Sequence, residues 1–295
     1  MKKGIKMKKT YLLAAASILC WSSVATVSKL LLNSLSSYQL LMFSSLFASV
    51  ALLITNIITG KIKLLKNYKF RDYMITTLVC SLGTLFYYVF LYSGTERMAA
   101  SQAFIINYLW PIMSVIFSMI ILKERLTPRR ATAILLSFLG VLTVAGEDLI
   151  KFNTGTLVGA LLCVLAAVSY GLFTALNRKF DYDYTVSMMI SFFATFLTTL
   201  VINLVMKNPF AVSVPELFGF MWNGFFVMAL ATVTWALALK YGGTARVSNL
   251  AYITPFLSLV WTFLILDEPI KPMSILGLVI IVVGIFIQLK DGKHS

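Results

Sequence analysis

Aromatic and amide side chains that could bind a small molecule are concentrated in two short stretches of the sequence. Residues 86–88 read Phe-Tyr-Tyr, and residues 107–111 read Asn-Tyr-Leu-Trp-Pro. A phenol or an indole combines a flat apolar face with one hydrogen-bonding group, and an amide both donates and accepts hydrogen bonds. These residue types predict a binding site for a flat organic solute that carries polar groups.

The residue patterns that catalysis needs are missing from the sequence. It contains no Gly-rich phosphate loop, nucleophile elbow or metal-ligand cluster, and its single histidine is His294, in the tail. The 11 acidic residues all fall between apolar segments or at their ends. We therefore expect no enzyme activity, no catalytic residues, no cofactor and no metal site.

The elements that must position the aromatic stretches are apolar segments of membrane-spanning length. The chain is 59% hydrophobic, only 12% charged, and has a mean hydropathy of +0.89. Its apolar residues come in blocks of about 20, the length that an α-helix needs to cross a bilayer. We predict an all-α membrane protein with ten transmembrane helices, or nine if the short fifth block or the eighth block does not span. The ten blocks are 10–32, 38–59, 73–93, 99–122, 130–147, 155–176, 184–206, 216–240, 245–266 and 272–289.

The basic residues are sorted to one side of this predicted topology. The formal net charge is +14, which by itself would favour a nucleic-acid partner. With ten spans, however, most Lys and Arg residues lie in the N-terminal tail and in loops 60–72, 123–130 and 177–183, which share one side. The positive-inside rule then places both termini in the cytoplasm. The charge reports orientation in a bilayer, and we expect no nucleic-acid partner.

An internal repeat divides the sequence into two halves, 1–150 and 151–295, each predicted to form five helices. Shifting the chain by 144 residues, the separation of Pro111 and Pro255, aligns seven identical residues. The motif is a span with a central Pro, a Leu-x-Glu end at Glu124 or Glu268, and a Pro that starts the next span. Since the shift equals five spans, the repeats must have opposite orientations. Inverted repeats are typical of transporters, which rock one repeat against the other.

Pro111 and Pro255 lie near the middle of their predicted spans, where each removes one backbone donor. A carbonyl left unpaired at that depth must find a protein partner or face a watery cavity. A kinked helix patched by its neighbour is the alternative to a cavity. Two symmetric instances favour the cavity, and we assign both prolines a role in helix kinking and gating.

The residues around these prolines are the candidates for substrate binding. On an ideal helix Tyr87 and Tyr88 share an arc with Thr84, Leu91 and Tyr92, whereas Phe86, Val89 and Phe90 face the other way. We interpret the first face as pore-lining; ordinary helix packing is the alternative. The substrate-binding candidates are Tyr87, Tyr88, Asn107, Tyr108, Trp110, Tyr170, Trp235 and Tyr252. Weaker candidates are Trp21, Ser22, Thr174, Asn177 and Thr234, while Lys29 and Arg246 are interpreted as interfacial.

These motifs resemble the drug/metabolite transporter superfamily, in particular its ten-span EamA-type branch. The resemblance rests on the paired Pro-centred spans, on the ends Leu-Lys-Glu-Arg-Leu (122–126) and Leu-Asp-Glu-Pro-Ile (266–270), and on the glycines that follow. Within the branch, residues 86–88 and 107–111 resemble aromatic amino acid exporters of the YddG type. The resemblance implies an inner-membrane exporter whose central cavity is lined at Tyr87, Tyr88, Tyr108 and Trp110. The chain departs from the branch near the start of the second span, where Leu40 to Ser45 contain no Arg.

From residues and resemblance together we expect a multi-pass exporter of amino acids, aromatic ones included, in the bacterial inner membrane. A proton-driven carrier usually needs a buried titratable group, so alternating access without proton coupling is the expected mechanism. A multidrug or organic-cation exporter is the alternative, because aromatic rings also bind cations. A membrane sensor without transport is a further alternative. The expected partners are the solute and the lipid bilayer; the sequence leaves the oligomeric state open, and a monomer is compatible with it.

Overall fold

The structure, a computed structural model, describes residues 2–150, 154–180, 182–242, 247, 250, 251 and 253–289. Throughout these residues the regular elements are helices, and no β-strand occurs among them. The helices are α1 (Lys2–Ser22), α2 (Val24–Leu32), α3 (Ser37–Ile58), α4 (Phe70–Ser81), α5 (Tyr87–Arg97), α6 (Ala100–Asn107), α7 (Trp110–Ile121), α8 (Pro128–Ile150), α9 (Thr154–Lys179), α10 (Tyr184–Val205), α11 (Val214–Met221), α12 (Ala231–Gly242), α13 (Ile253–Leu266) and α14 (Pro272–Leu289). A 3₁₀-helix covers Lys61–Asn67.

Two π-helical segments interrupt long helices at corresponding places in the two sequence halves. Leu82–Phe86 joins α4 to α5, and Trp222–Leu230 joins α11 to α12. Short π-helical stretches are rare and are frequent at functional sites. The sequence pattern predicts helical spans in both regions and does not distinguish π-helix from α-helix.

Seven helical segments within the described residues are long and apolar enough to cross a bilayer. They are Lys8–Leu32, Ser37–Ile58, Phe70–Arg97, Ala100–Ile121, Thr154–Lys179, Tyr184–Val205 and Val214–Tyr241, and two shorter apolar helices are Ile253–Leu266 and Pro272–Ile287. All of them coincide with predicted blocks, and α8 covers the fifth block. This pattern is that of a multi-pass membrane protein, while the count of ten spans and their orientation stay predictions.

The chain forms two compact units, and each draws on both sequence halves. Unit 1 consists of Met1–Thr77 and Asp183–Trp261, and unit 2 consists of Leu78–Tyr182 and Thr262–Ser295. The predicted division into 1–150 and 151–295 concerns the repeat in the sequence, and it stays a prediction. The structural units are a different division of the same chain.

Within unit 1, α3 and α10 pack antiparallel along their length. The Asn56 amide nitrogen lies 3.6 Å from the sulfur of Met189, and the Asn203 amide nitrogen lies 3.7 Å from the sulfur of Met42. The first contact joins the end of α3 to the start of α10, and the second joins the start of α3 to the end of α10. Equivalent Asn–Met contacts at both ends relate the two helices by an approximate two-fold axis.

An ion pair closes one end of this helix pair. The Asp183 carboxylate accepts hydrogen bonds from the backbone N–H groups of Thr185 and Val186, so it caps α10. It also lies 2.7 Å from the Lys61 ammonium. Burial raises the pKa of Asp183, but the hydrogen bonds from Lys61, Thr185 and Val186 lower it by a larger amount. The pKa of Asp183 therefore lies below its ordinary value.

Within unit 2, α8 and α14 cross antiparallel at small residues. A Cβ atom added to Gly140 would lie 2.7 Å from the carbonyl oxygen of Gly277, and one added to Gly284 would lie 3.0 Å from the carbonyl oxygen of Ala133. The backbones of the two helices are therefore in direct contact, the arrangement that small residues permit in membrane helices. The sequence repeat aligns Gly140 of α8 with Gly284 of α14, so α8 and α14 are equivalent helices of the two repeats. The contacts show that they run in opposite directions.

The two Leu-x-Glu motifs adopt the same backbone conformation in unit 2. Their middle residues, Lys123 and Asp267, have positive φ angles of 57° and 53°, the left-handed conformation that commonly ends a helix. The next helices, α8 and α14, begin at Pro128 and Pro272, where a missing N–H costs nothing. The predicted motif thus ends one helix and starts the next in both halves.

Candidate functional site

The π-helical segment Leu82–Phe86 positions the first pair of aromatic residues, because α5 begins directly after it at Tyr87. Its irregular backbone is supported from α9, where the Ser169 hydroxyl donates a 2.7 Å hydrogen bond to the carbonyl oxygen of Leu82. Gly83 lets α9 approach closely, since a Cβ at this position would lie 2.6 Å from the Phe173 ring. A membrane protein must satisfy irregular backbone internally, and this serine does so for Leu82.

A break in the next span positions the second group of residues. α6 ends at Asn107, α7 begins at Trp110, and Pro111 is the second residue of α7. The Tyr108 N–H still bonds to the carbonyls of Phe104 and Ile105, both at 3.1 Å. The break between the two helices thus lies directly before Pro111, while the role of this proline in gating stays a prediction. Asn107 and Trp110 therefore lie at the ends of two short helices.

A carboxylate from the opposite end of the sequence caps the helix that carries Asn107. Ala99 precedes α6 and has no side chain that could cap it. Glu268 instead accepts hydrogen bonds from the backbone N–H groups of Ala100 and Ser101, at 2.8 and 3.0 Å, and from the Ser101 hydroxyl at 2.7 Å. A negative charge at a helix N-terminus is stabilising. The Glu of the second Leu-x-Glu motif thereby fixes the start of α6, a role that sequence reasoning missed.

The rings from α5, α7 and α9 form one continuous cluster in unit 2. Tyr170 of α9 lies at its centre, with ring centroids 5.2 Å from Trp110 and 4.8 Å from Tyr87. The Tyr87 ring lies 4.8 Å from that of Tyr88, which in turn lies 5.4 Å from that of Tyr92. Such separations are those of favourable aromatic pairs. We call these five residues the aromatic cluster.

Close helix packing holds Tyr170 in this central position. Its neighbour Gly171 contacts α7, and a Cβ at Gly171 would lie 2.5 Å from the Cβ of Met113. Two turns earlier in α9, Cys163 contacts α5: a Cβ added to Gly94 of α5 would lie 2.6 Å from the Cys163 sulfur. α9 is thus clamped between α5 and α7, which carry the other members of the cluster.

A polar pair lies against the aromatic cluster. The Asn107 amide nitrogen donates a 3.0 Å hydrogen bond to the hydroxyl oxygen of Tyr87. The Asn107 side chain is 3% exposed, yet its carbonyl oxygen has no hydrogen-bond partner, and neither has the hydroxyl of the fully buried Tyr92. Buried polar atoms are normally paired. Unpaired ones beside a ring cluster are the groups that a polar solute could engage.

Phenyl groups lie on another face of the same span, at the end of the π-helical segment and in α5. Phe86 is 44% exposed, and its ring pairs with that of Phe90 at 6.4 Å. The phenols and the phenyl groups of this helix are thus separated, as the helical arc predicted. Among the charged groups of unit 2, Glu124 pairs with Arg130 and Arg178, at 3.0 and 2.9 Å.

The structure brings together five of the predicted binding residues: Tyr87, Tyr88, Asn107, Trp110 and Tyr170. Tyr108 is 9% exposed and lies at the helix break beside them. Trp235 belongs to unit 1, where its ring packs on that of Trp21 with centroids 5.3 Å apart. Tyr252 and Arg246 lie outside the described residues.

The remaining candidates make local contacts. In unit 2 the Thr174 hydroxyl donates to the Tyr170 carbonyl at 2.8 Å. In unit 1 the Ser22 hydroxyl accepts from the Trp261 indole at 3.0 Å. Pro255 is the third residue of α13, a position in the first turn where proline is tolerated. The role of Pro255 in helix kinking and gating stays a prediction.

These features define a class of protein: a multi-pass helical membrane protein with a half-buried cluster of aromatic and polar side chains that carry no charge. The EamA-like transporter family model matches residues 8–146 and 157–289. The chain belongs to the EamA-like transporter family. It is accordingly a transporter and not an enzyme.

Its relatives agree with this membership. An uncharacterized transporter of Clostridium kluyveri is 24% identical over 98% of this chain and 96% of its own length. The uncharacterized transporter YyaM of Bacillus subtilis is 24% identical over 81% and 79%. The aromatic amino acid exporter YddG of Ancylobacter novellus is 25% identical over 61% and 64%. One solved crystal structure superposes on this chain with a TM-score of 0.69, covering 98% of this chain and 99% of the other. The two sequences are 19% identical, so this likeness shows the fold alone.

Proposed function

We propose that this transporter exports amino acids, aromatic ones included, across the bacterial inner membrane. The observation that carries the proposal is the Asn107–Tyr87 pair set against the aromatic cluster. The partial match to an aromatic amino acid exporter supports the same solute class. The solute would bind through the Asn107–Tyr87 pair and the rings of Tyr88, Trp110 and Tyr170.

The hydrogen bonding of this pair suits a zwitterion. Because Asn107 donates to the Tyr87 oxygen, the Tyr87 hydroxyl keeps its own hydrogen, which a carboxylate can accept. The unpaired carbonyl oxygen of Asn107 can accept from an ammonium group. One donor and one acceptor, both uncharged, therefore face the two ends of an α-amino acid. Trp110 and Tyr170 provide flat surfaces for an aromatic side chain.

Facilitated alternating access is the mechanism we propose. The fold's antiparallel pairs, α3 with α10 and α8 with α14, support an inverted repeat, the architecture in which one repeat rocks against the other. Cytoplasmic termini follow from the positive-inside rule. The sequence places no carboxylate at mid-membrane, which favours transport down the solute gradient over proton exchange.

Counterflow with binding-site variants tests the proposal. Proteoliposomes preloaded with unlabelled tryptophan are assayed for uptake of labelled tryptophan, comparing wild type with Trp110→Ala and Tyr108→Ala. Phe86→Ala is the matched control, since it removes an aromatic ring directly before α5 that is 44% exposed and pairs with Phe90 and not with the cluster. We expect exchange by wild type and by the control, and at least about tenfold lower exchange at subsaturating solute for Trp110→Ala.

An organic-cation exporter is the second candidate, because the same rings could hold a cation by cation–π contact. Methyl viologen in the same assay distinguishes the two. Flux of methyl viologen without flux of any amino acid would replace the amino-acid proposal. Amino-acid binding without flux of any solute would favour a membrane sensor.

A further inference from the structure

A second group of buried polar side chains without partners belongs to unit 1, whereas the aromatic cluster belongs to unit 2. Three mutually packed elements each contribute one residue: Thr26 from α2, Ser44 from α3 and Asn223 from the π-helical segment Trp222–Leu230. Their exposures are 1%, 0% and 1%. The hydroxyl oxygens of Thr26 and Ser44, and both polar atoms of the Asn223 amide, have no hydrogen-bond partner.

Contacts of the residues on either side of Asn223 place it between α2 and α3. The Trp222 indole donates a 2.8 Å hydrogen bond to the hydroxyl of Ser23, one turn before Thr26. Gly224 packs against the backbone of α3 at Ser44, where an added Cβ would overlap the Ser44 carbonyl oxygen. Asn223 lies between Trp222, which contacts α2, and Gly224, which contacts α3, and its side chain is buried. Asn223 therefore lies between the helices that carry Thr26 and Ser44.

The unpaired atoms limit what could bind among them. A cation could engage the oxygen of the Asn223 amide but would leave its N–H groups unpaired, and an anion would do the reverse. Only a molecule that both donates and accepts satisfies the whole amide. The hydroxyls of Thr26 and Ser44 can each take either role. The three side chains of the site are themselves uncharged, and the segments Ser37–Ile58 and Trp222–Leu230 contain no charged residue, while α2 contains Lys29. These side chains suit a molecule without net charge.

We propose that Thr26, Ser44 and Asn223 form a second binding site, which takes the ammonium and carboxylate end of a small amino acid. This inference rests on the proposed function for the solute class, and it adds a site outside the aromatic cluster. Asn223 would donate to the carboxylate and accept from the ammonium, with the two hydroxyls completing the shell. The site does not depend on the side chain of the solute, so it binds alanine as well as tryptophan.

A polar site retained for binding has a distinct signature on substitution. Removing a polar group that has no partner should leave the empty protein equally or more stable, because nothing is lost except its desolvation. Removing a bonded one should destabilise it. Asn203 is the matched control in the same unit: it is fully buried, donates to the Thr199 carbonyl at 2.8 Å and accepts from Asn208 at 2.8 Å.

The experiment measures thermal unfolding of the purified full chain in detergent, alone and with alanine or tryptophan, for wild type, Asn223→Leu, Ser44→Ala and Asn203→Leu. We expect both amino acids to stabilise the wild type. Asn223→Leu should unfold at the same or a higher temperature when empty, and saturating amino acid should raise its unfolding temperature by less than that of wild type, because only the site at the aromatic cluster remains. Ser44→Ala should behave in the same direction with a smaller change. Asn203→Leu should lower the unfolding temperature of the empty protein.

Binding and flux separate this inference from the proposed function. If alanine and tryptophan stabilise Asn223→Leu and Ser44→Ala as well as wild type, the second site is refuted even where transport proceeds. If empty Asn223→Leu is less stable than wild type but amino acids raise its unfolding temperature by the same amount, the residue has a structural role, such as holding a bridging water. That outcome would equally refute the second site. If the wild type binds amino acids through Asn223 but carries none in counterflow, the second site stands and the transport proposal fails.

Discussion

The hydrogen bond between Asn107 and Tyr87 offers a way to separate a binding role from a structural one. Tyr87→Phe removes the acceptor of a 3.0 Å bond and leaves the amide of a residue that is 3% exposed without any partner. Hydrogen bonds between membrane helices contribute on average about 0.6 and at most about 1.7 kcal/mol, and a newly unsatisfied buried group costs about 1–3 kcal/mol. We expect Tyr87→Phe to lower stability by about 1–2 kcal/mol.

The double variant with Asn107→Leu completes a cycle. Asn107→Leu alone leaves the Tyr87 hydroxyl unpaired, whereas the double variant replaces both polar groups by apolar ones. The two losses should therefore not add, and the double variant should be about 1 kcal/mol more stable than their sum predicts. Thermal unfolding in detergent, followed by the fluorescence of the tryptophans, measures this coupling.

Transport should respond differently from stability. If the pair binds the solute, each single variant raises the counterflow KM for tryptophan at least about tenfold, equivalent to about 1.4 kcal/mol. The double variant then remains impaired although its stability has recovered. A KM that recovers together with the unfolding temperature would refute a binding role for the pair, because the pair would then act only through packing.

Three further predictions concern the contacts that position the cluster and close the helix ends. Ser169→Ala should lower stability by about 0.6–2 kcal/mol, because the Leu82 carbonyl of the π-helical segment loses its hydrogen bond. Ser137→Ala is the control: it removes a buried hydroxyl that has no partner, so thermal unfolding should change little. Glu268→Gln should cost about 1–2 kcal/mol and raise protease sensitivity near the start of α6, because a charged cap of two N–H groups is weakened; a neutral result would contradict the capping role. The folded pKa of Asp183 lies below its ordinary value of about 3.9, so its ion pair with Lys61 stabilises the fold above that value and the contribution is lost as the pH falls through the folded pKa. The stability difference between wild type and Asp183→Asn should therefore shrink on acidification from pH 6 to 3, and a constant difference would contradict the assignment.

Much of the candidate site could be predicted because membrane helices obey strict local rules. Proline at position 111 removes a backbone donor, which interrupts the helix wherever it lies in the span, and the structure has the break there. The separation of Tyr87 and Tyr92 from Phe86 follows directly from helical periodicity. The ends of the two Pro-centred spans could also be read from Leu-x-Glu followed by proline.

The parts that could not be predicted depend on contacts between distant segments. The π-helical segment before Tyr87 has no local signature, since its support is a hydroxyl from Ser169, far along the chain. A binding role for Trp235 stays a prediction, because a tryptophan in an apolar helix has the same sequence context whether it binds a solute or packs. Its ring packs on Trp21 in unit 1. Glu268 was assigned only to a loop, because its role depends on α6 starting without a capping side chain of its own.

The central claim is that this member of the EamA-like family carries zwitterionic amino acids through an uncharged aromatic site. The most direct measurement is counterflow of labelled tryptophan, phenylalanine and threonine into proteoliposomes containing the wild-type chain, with and without an imposed pH gradient. We expect exchange of the amino acids at the same rate in both conditions, and none in liposomes without protein. Flux that appears only with the pH gradient would contradict the uncoupled mechanism, and exchange of methyl viologen but of no amino acid would contradict the central claim itself.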